Sequence, residues 1–414
     1  MKCMIIGGGI IGLSAAWFLQ QDGWDVTILE RNDFSDSCSY GNAGYVCPSH
    51  FVPMATPGIV KLGLKWMLQP DSPFYIQPRL NADLIDWGWK FIRSANNRRV
   101  QAAYTPLRDI ALLSQYWYEQ WAQHPDLAFA YEKRGMLEMF KTSANEEHAY
   151  HAVQDAVKLG LDAALLDAKA VRALEPDTDI DIRGAIHYRC DAQLYPDKLM
   201  HSLQAWLKAK DVKMISNAEV TGFETTGGKI TKVLTATQAY DTDMAVIATG
   251  SWSRGVAAKV GVKLPMVGGR GYSVTYEDSP YHLRHPAILT EGRVAVSPMD
   301  GNKIRFGGTM EITGLDAPPS YKRVKGILKT VKEFFPAFDI PMPAAEKIWY
   351  GYRPCSADGL PYIGKPGHLQ NCIIATGHSM LGISLGAGTG KLVAELAKGG
   401  PTSMSTTPFN PERF

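Results

Sequence analysis

The sequence predicts a mixed α/β fold with two domains: a discontinuous domain with a parallel sheet, and an α+β domain with an antiparallel sheet inserted into it. A strand, a glycine-rich turn, a helix and a second strand follow one another at the N-terminus. Two more apolar strands run into glycines in the middle and near the C-terminus, and short alternating strands lie between them. A chain of 414 residues is also longer than one hydrophobic core usually supports.

The first thirty residues predict a βαβ unit. Residues 3–6 are an apolar run typical of a buried strand, and residues 13–21 predict a helix. Residues 24–29 predict a second strand that ends at Glu30, and a polar loop rich in Ser, Asp, Asn and Gly follows at residues 32–44.

The turn in this unit has the spacing Gly7-x-Gly9-x-x-Gly12, which is typical of a Rossmann-type dinucleotide site. The first glycine permits the turn, the second lets a pyrophosphate approach the backbone, and the third lets the helix pack closely on the strand. Free N–H groups and the helix dipole favour the phosphates. Glu30 is placed to bind ribose hydroxyls, and its carboxylate disfavours the 2′-phosphate of NADP. This context makes a purely structural turn the weaker interpretation.

The remaining elements are predicted from periodicity and turn residues. Residues 58–122 predict helices rich in Trp and Tyr, and residues 128–141 predict a pair of strands around Gly135. Further helices are expected at residues 144–159, 167–174, 196–210, 320–335 and 388–397. Further strands are expected at residues 185–188, 213–216, 219–225, 229–236, 244–248, 267–276, 287–289, 294–298, 303–310 and 372–375. Residues 399–414 predict a loose tail.

The order of these elements predicts the domain boundaries. The Rossmann-type, cofactor-binding domain is assigned residues 1–90, 185–265 and 340–414. The substrate-binding domain is assigned residues 91–184 and 266–339.

Composition excludes several classes of function. A formal net charge of +2 gives no reason to expect a nucleic-acid partner. The six cysteines are scattered without a C-x-x-C pair, so we expect free thiols in a reducing compartment and neither a disulfide framework nor a metal site. The short apolar start fits a buried strand better than a secretory signal, and no run of about 18 apolar residues suggests a membrane span. A cytoplasmic location is expected.

Two more glycine-rich strand ends predict contacts with the same cofactor. Residues 245–250 (AVIATG) form an apolar strand that ends in Ala-Thr-Gly. Residues 373–378 (IIATGH) are followed by Gly382 and by three more glycines before a predicted helix. The backbone N–H groups there are suited to stabilise negative charge on a reduced flavin. Each motif alone also fits a buried strand or a small-residue helix, but the three together indicate a flavin.

Five further motifs make the chain resemble a known family. They are residues 37–44 (SCSYGNAG), 48–50 (PSH), 270–273 (RGYS), 351–361 (GYRPCSADGLP) and Gly377-His378. With the N-terminal glycines they resemble the D-amino-acid oxidase superfamily over essentially the whole chain. Within it the chain is similar to the bacterial D-amino-acid dehydrogenases and to their D-hydroxyproline dehydrogenase relatives.

The resemblance implies an FAD cofactor and a set of residues that bind it. Asn42, Ala43 and Gly44 are expected against the isoalloxazine ring, and the backbone of Val220 on the adenine side. The full expected set is Gly7, Gly9, Ile10, Ile11, Gly12, Glu30, Arg31, Ser37, Ser39, Asn42, Ala43, Gly44, Val220, Thr249, Gly250, Trp252, Gly377, His378, Met380, Leu381, Gly382 and Ile383.

The resemblance also implies that Arg353 binds a substrate carboxylate. Chemistry agrees, because a guanidinium is always charged and its planar fork matches a carboxylate. A structural ion pair with a nearby acid is the alternative interpretation. Tyr272 is expected to assist at the carboxylate or the amine, although an ordinary half-buried strand tyrosine is nearly as good an interpretation. His50 either lines the site or is a satisfied polar residue of a proline-rich loop.

Two features depart from some relatives. Cys355 lies near the arginine motif but not at the position of a covalent flavin link, so non-covalent FAD is expected. Ser379-Met380-Leu381 stands where some relatives carry a second arginine, so a carboxylate would depend on Arg353 and neutral donors. His378 is expected to hold its turn rather than to transfer protons. Tyr350 and Met380 are further candidates to face the ring.

These residues predict oxidation of a D-amino or D-imino acid, such as D-proline or hydroxy-D-proline, by hydride transfer to flavin N5. The alternatives are an amine oxidase of the glycine or sarcosine type that uses O₂, a flavin hydroxylase fed by NAD(P)H, and a non-catalytic electron-relay subunit. The sequence leaves the electron acceptor, a quinone or another, and the oligomeric state open.

Membrane contact is a further alternative. The aromatic residues of 59–91 fit either an interfacial patch on the inner face of the cell membrane or plain core. They include Trp66, Met67, Leu68, Trp87, Trp89 and Phe91.

Overall fold

The computed structural model describes residues 1–67 and 72–414. Helices and strands alternate at both ends of the chain, and most of the long strands lie in the middle. The helices are α1 (Ile10–Gln21), α2 (Ile59–Met67), α3 (Ala82–Ser94), α4 (Asn97–Ala122), α5 (Ser143–Lys158), α6 (Ala168–Leu174), α7 (Pro196–Ala209), α8 (Ser253–Ala258), α9 (Lys322–Phe334) and α10 (Gly382–Lys398).

The strands run through the whole chain. They are β1 (Lys2–Ile6), β2 (Asp25–Leu29), β3 (Tyr45–Val46), β4 (Phe74–Ile76), β5 (Met136–Phe140), β6 (Ala163–Asp167), β7 (Gly184–Tyr188), β8 (Ala192–Gln193), β9 (Lys213–Ile215), β10 (Val220–Thr226), β11 (Lys229–Thr235), β12 (Ala239–Asp241), β13 (Met244–Ile247), β14 (Met266–Tyr276), β15 (Ala287–Leu289), β16 (Val294–Met299), β17 (Lys303–Ile312), β18 (Ile348–Ser356), β19 (Tyr362–Gly364) and β20 (Cys372–Thr376).

The first sheet has the strand order β19-β20-β13-β1-β2-β9 in the described residues. Its strands pair in parallel, except that β19 is antiparallel to β20. Helices α1, α4, α7 and α10 lie over one face, where Trp17, Trp121 and Trp206 are buried in one apolar cluster. The small antiparallel sheet β10-β11-β12 and helix α8 contribute to the cluster on the other face. Both faces are covered, as is usual for a parallel sheet.

The second sheet is larger and mostly antiparallel. Its order is β18-β14-β17-β16-β15-β5-β7-β6, and β4 pairs with β17. Helix α9 packs on one face, and its apolar side chains join those of β14, β15, β16 and β17 in one cluster. Strands β7 and β18 belong to this sheet, so sheet membership would place part of residues 185–265 and 340–414 with the inserted domain. The division into two domains itself stays a prediction.

The predicted α/β fold is confirmed, and most predicted elements are present within one to three residues. Residues 58–122, predicted as helical, contain α2, α3 and α4 and also the strand β4. Within residues 128–141 only β5 forms a strand, while Glu132 makes an isolated bridge to Gln193. Among the described residues, short strands such as β4, β6, β8 and β19, and the long β18, were not predicted.

Two predictions near the C-terminus were wrong. Helix α10 begins at Gly382 rather than at 388, and its internal glycines serve packing: a Cβ on Gly386 would lie 2.8 Å from Ile10, and one on Gly390 would lie 2.5 Å from the Ser14 backbone. Close helix packing outweighs the low helix propensity of glycine. Residues 399–414 are not loose, because Phe409 is fully buried and Arg413 pairs with Asp358 at 2.7 Å.

The six cysteines are unpaired. Among residues 1–67 and 72–414, no helix combines the length and apolar character needed to cross a bilayer.

Candidate active site

A single cavity of about 2140 Å³ extends between the two main sheets. Its walls include the glycine loop after β1, the residue 37–44 loop, the start of α10 and the strands β14, β17 and β18. The arginine motif and the glycine loop, far apart in sequence, therefore open on one space.

The glycine loop turns at Gly7, whose φ of +108° suits glycine. A Cβ on Gly12 would overlap the Gly7 carbonyl oxygen, so α1 packs directly on the loop. Glu30 accepts hydrogen bonds from the Gly8 amide (2.7 Å) and the Asn32 amide (3.1 Å) and so holds the loop. The N-terminus of α1, at Ile10, faces the cavity, where free N–H groups favour an anion.

The N-terminus of α10 opens on the same cavity. Met380, Leu381, Gly382 and Ile383 line it. Two positively polarised helix ends thus serve one space, although they are more than 370 residues apart in sequence. His378 is almost fully buried, and its Nε2 contacts the Thr389 hydroxyl at 2.9 Å inside α10. Burial lowers the pKa of His378 to about 3.

The residue 37–44 loop spans from the first sheet to the second. The Ser39 hydroxyl accepts a hydrogen bond from the Ile10 amide at 3.1 Å. Three side chains of the large sheet then bind carbonyl oxygens of the loop. These bonds are Ser273 to Gly41 (3.0 Å), Ser297 to Ala43 (2.8 Å), and Arg305 to Tyr40 (2.9 Å) and Asn42 (2.7 Å). The loop is therefore held rigidly against the cavity.

Ser273, Ser297 and Arg305 were not among the predicted site residues. They lie on strands of the large sheet with their side chains toward the loop, and Arg305 stands between the buried Ile304 and Phe306. A charged residue inside an apolar strand is the signal that would have indicated this role.

Arg353 lies on β18 with its guanidinium in the cavity wall. Its Nη1 donates to the Thr309 carbonyl oxygen. No other hydrogen bond and no ion pair joins its side chain to any residue of 1–67 or 72–414, and burial lowers its pKa. A guanidinium has five N–H donors, so most of its donor capacity has no acceptor among the described residues. The structural ion pair that the sequence allowed as an alternative is therefore not present in the described residues.

Local strand geometry explains where Arg353 points. It pairs with Gly269 on β14, and its guanidinium occupies the space that a Cβ on Gly271 would fill. Opposite Gly271 the pairing of β14 with β17 shifts by one residue. Thr309 in this bulge has a φ of +62°, which is unusual for a non-glycine residue. Bulges re-aim backbone groups, and this one turns a carbonyl oxygen toward the guanidinium.

Tyr272, which was expected to assist Arg353, is among the residues that line the cavity, but its hydroxyl makes other contacts. Tyr272 pairs with Tyr350, whereas Arg353 pairs with Gly269, so the two side chains project from opposite faces of the strand pair. The Tyr272 hydroxyl donates to Glu311 at 2.7 Å and accepts from the Ser320 amide at 2.6 Å. It belongs to a buried network beneath α9 and has no proton left to donate to a substrate.

His50 lines the cavity, and burial lowers its pKa to about 4, so its imidazole is neutral near pH 7. Its Nδ1 contacts the Ser49 hydroxyl at 3.2 Å, and that hydroxyl donates to Asp191 at 2.5 Å. Potential ligand atoms of Cys47, His50 and Asp191 lie within 4.8 Å of one another. The Ser49 hydroxyl contacts both the His50 ring and the Asp191 carboxylate. We therefore interpret Cys47, His50 and Asp191 as part of a hydrogen-bonded cluster rather than as metal ligands.

The other predicted cofactor residues fall into two groups. Most line the cavity, including Arg31, Ser37, Val220, Thr249, Gly250 and Trp252. The Arg31 guanidinium lies 3.7 Å from the centre of the Trp252 ring. Gly44 and Gly377 do not line the cavity but have positive φ angles of 80° and 82°, so they shape its turns.

These features fit FAD. The cavity is large and is lined by the N-termini of both α1 and α10, and Gly7, Gly9 and Gly382 add no side chain to its wall. Glu30 and Ser39 lie at the pyrophosphate loop, and Asn42 and Ala43 lie in the loop held between the sheets.

Known proteins resemble this chain over nearly its whole length. A family model described as "DAO: FAD dependent oxidoreductase" matches residues 2–396. A D-amino acid dehydrogenase of Granulibacter bethesdensis is 29% identical over 409 residues, which cover 96% of each chain. A D-amino-acid oxidase of Bradyrhizobium diazoefficiens is 29% identical over 415 residues, covering 99% of this chain and 98% of that protein.

Solved structures show the same fold. Glycine oxidase from Geobacillus kaustophilus superposes with a TM-score of 0.78 at 20% identity, covering 100% of this chain and 99% of that one. L-proline dehydrogenase from P. horikoshii superposes with a TM-score of 0.75 at 19% identity, covering 100% and 97%. The match over residues 2–396 shows that the chain belongs to the DAO family of FAD-dependent oxidoreductases, with FAD as its cofactor.

Proposed function

We propose that this protein oxidises a D-amino or D-imino acid, using FAD as the immediate electron acceptor. The observation that carries the proposal is the Arg353 guanidinium, which lies in the cavity wall without an ion-pair partner among the described residues. A buried unpaired cation is costly unless a ligand neutralises it. The printed names of the sequence relatives, D-amino acid dehydrogenase and D-amino-acid oxidase, support the substrate class.

In the proposed reaction the substrate loses two electrons and two protons, and its Cα–N bond becomes C=N. Bound FAD supplies the acceptor for the hydride equivalent. Arg353 binds the substrate carboxylate and fixes its orientation. The N-termini of α1 and α10 stabilise negative charge at the cofactor end. A linear imine then hydrolyses to a 2-oxo acid and ammonia, whereas a proline substrate yields a cyclic imine.

Anaerobic reduction of the flavin tests this proposal. The purified holoenzyme is mixed without oxygen with a panel of D-amino acids, with D-proline and hydroxy-D-prolines, and with the L-isomers of each. We expect rapid loss of the flavin absorbance band with D-isomers and none with their L-isomers. Reduction by none of the D-isomers, or equal rates with both isomers, contradicts the proposal.

A glycine-oxidase-like activity is the second candidate, and the fold shared with glycine oxidase favours it. We propose instead that the electrons leave to a quinone or another acceptor rather than to O₂. The reduced enzyme is mixed in one experiment with air-saturated buffer. In a second, anaerobic experiment it is mixed with a soluble quinone. Reoxidation that is fast only with the quinone supports a dehydrogenase, whereas fast reoxidation by O₂ contradicts it.

We further propose that FAD is bound non-covalently. Cys355 is fully buried, and its sulfur contacts the Arg353 carbonyl oxygen (3.3 Å) and the Ser379 hydroxyl (3.7 Å) rather than lining the cavity. Acid precipitation should therefore release the yellow colour into the supernatant. Colour that stays with the pellet contradicts this assignment.

A surface on α2 and α3 supports peripheral contact with the inner face of the cell membrane. Leu64, Ile85, Trp89 and Ile92 are 55–61% exposed there. Trp87 is instead core, since it is 4% exposed and donates to the Cys355 carbonyl oxygen. Leu68 lies outside the described residues.

Basic side chains flank this surface. Lys61 and Lys65 are exposed on α2, and Arg93 is exposed on α3, with its guanidinium 4.5 Å from the Trp89 ring centre. Apolar and basic groups together fit an anionic bilayer surface. Flotation with phosphatidylglycerol vesicles should recover the protein, and Ile85→Ser should reduce the recovery. Equal recovery of the protein and the variant contradicts this contact.

A further inference from the structure

Two opposite charges lie in the part of the cavity that β5, β15 and α5 enclose. Glu138 is the central residue of β5, and Arg293 stands immediately before β16. Both line the cavity. Neither takes part in binding the cofactor loops described above.

Glu138 interrupts an apolar surface. Its neighbours two residues away on β5 are Met136 and Phe140, both buried, and it pairs with Ile186 on β7 and Ile288 on β15. A carboxylate in such a row costs free energy unless a partner is present. No residue of 1–67 or 72–414 gives it a hydrogen bond or an ion pair. Burial raises its pKa to about 7, and the nearby charge of Arg293 opposes that rise.

Arg293 faces the same space. Its guanidinium lies 4.9 Å from the Trp66 ring centre, and its backbone φ is +50°, which is rare outside glycine. The described part of the chain offers its side chain no hydrogen bond or ion pair. Burial lowers its pKa, and Glu138 opposes that shift. The two charges therefore interact through space without closing a salt bridge.

We propose that Glu138 and Arg293 recognise the side chain of the substrate, and that this side chain carries both a hydrogen-bond donor and an acceptor, as a hydroxyl or a carboxamide does. Such a group donates to Glu138 and accepts from Arg293 at once. A cationic side chain would attract Glu138 but be repelled by Arg293. An anionic side chain would attract Arg293 but be repelled by Glu138. A purely apolar side chain would satisfy neither group, and this would be most costly at the partly buried Glu138, since Arg293 is exposed. The inference rests on the proposed oxidation of D-amino acids.

Matched pairs of substrates test this inference. D-threonine is compared with D-valine, and D-asparagine with D-leucine, because each pair has nearly the same shape. We expect kcat/KM to favour the polar member at least roughly tenfold, since a site built to hydrogen-bond a substrate group rejects the analogue that lacks it. Glu138→Leu and Arg293→Met should each reduce this preference about tenfold.

Controls separate recognition from folding. Glu147→Leu removes an exposed carboxylate from α5 and should leave the preference unchanged. FAD content and melting temperature are measured for every variant. If Glu138→Leu fails to fold, Arg293→Met carries the test, because that side chain is accessible in the cavity.

The outcomes are distinguishable. Equal use of polar and apolar members, a preference for charged D-amino acids, or an unchanged preference in active variants overturns this inference alone. Failure of every D-amino acid to reduce the flavin overturns both this inference and the proposed function.

Discussion

Replacing Arg353 by methionine separates a substrate-binding arginine from a structural one. Methionine keeps much of the side-chain length but removes the charge and the donors. The guanidinium has one hydrogen bond, to the Thr309 carbonyl oxygen, and no carboxylate partner among residues 1–67 and 72–414. Arg323 provides the control, because it is buried but pairs with Glu311 at 3.2 Å.

The two variants should behave in opposite ways. A bidentate guanidinium–carboxylate contact makes two charge-assisted bonds, so Arg353→Met should lose roughly 3–4 kcal/mol of transition-state binding, or about 10²- to 10³-fold in kcat/KM. Its stability should change by less than about 1 kcal/mol, since losing one bond is offset by losing a buried charge. Arg323→Met removes an ion-pair partner of the buried Glu311 carboxylate and should cost about 3 kcal/mol of stability.

The assay combines kinetics, unfolding and ligand binding. Steady-state kcat and KM are measured with the best D-amino acid, and urea unfolding is followed with FAD in excess. Perturbation of the flavin spectrum by benzoate reports carboxylate binding without turnover. Arg353→Lys should retain part of the affinity, because a lysine supplies the charge without the planar fork.

Three results would refute this reasoning. They are an unchanged KM for Arg353→Met, benzoate binding as tight as in the unmodified enzyme, and a stability loss as large as that of Arg323→Met. The last result would mean that the arginine is a structural residue.

Three further predictions concern the cofactor loop, the arginine and pH. Gly12→Ala should cost about 2–3 kcal/mol of unfolding free energy and most of the bound FAD, because its Cβ would overlap the Gly7 carbonyl oxygen; urea titration and the flavin-to-protein absorbance ratio measure this. Gly271→Ala should displace the Arg353 guanidinium and raise KM roughly tenfold with FAD content unchanged, as steady-state kinetics would report. Burial lowers the pKa of His378 from 6.5 to about 3, so the unfolded chain binds the proton first and stability falls as pH drops below 6.5. Between pH 6.5 and 5 the free energy of unfolding should therefore fall by about 2 kcal/mol less in His378→Gln than in the unmodified protein. Urea unfolding at each pH measures this difference.

Each of these has a control or a contrary outcome. Gly88→Ala adds a Cβ where nothing lies within 4 Å, so it should leave FAD content unchanged and, because Gly88 lies inside α3, should raise stability by up to about 1 kcal/mol. A Gly12→Ala protein that keeps its flavin would show that α1 can move without cost. A Gly271→Ala enzyme with normal KM would show that the guanidinium is not held by that strand. Parallel pH curves for His378→Gln and the unmodified protein would mean that His378 titrates normally in the folded state.

Much of the fold was predictable because it depends on local patterns. The βαβ unit at the N-terminus was predicted within three residues, since apolar runs and glycine spacing decide it. Strand β18 was not predicted, although it carries Arg353. Its sequence, IWYGYRPCS, contains a glycine and a proline, and only pairing with β14 makes it a strand. Helix α10 was predicted to begin six residues too late because its glycines resemble helix breakers.

Some residues of the candidate site were indicated by local motifs, whereas the placement of others depends on contacts between distant parts of the chain. The role of Arg353 was implied by the resemblance of its motif; the structure places the residue in the cavity wall, and its binding of a carboxylate stays a prediction. Tyr272 was expected beside it, but a two-residue periodicity along paired strands puts the two side chains on opposite faces. Glu138 and Arg293 were not predicted, because 155 residues separate them in sequence and nothing local links them.

By itself, the sequence determined the class of cofactor and the α/β fold, and it singled out Arg353 as the candidate for binding a carboxylate. These follow from glycine spacing and from residue chemistry, which act over a few neighbouring positions. Only the tertiary structure decided which side chains share the cavity. Strand register sets the face on which each residue projects, and register depends on partners far away in the chain.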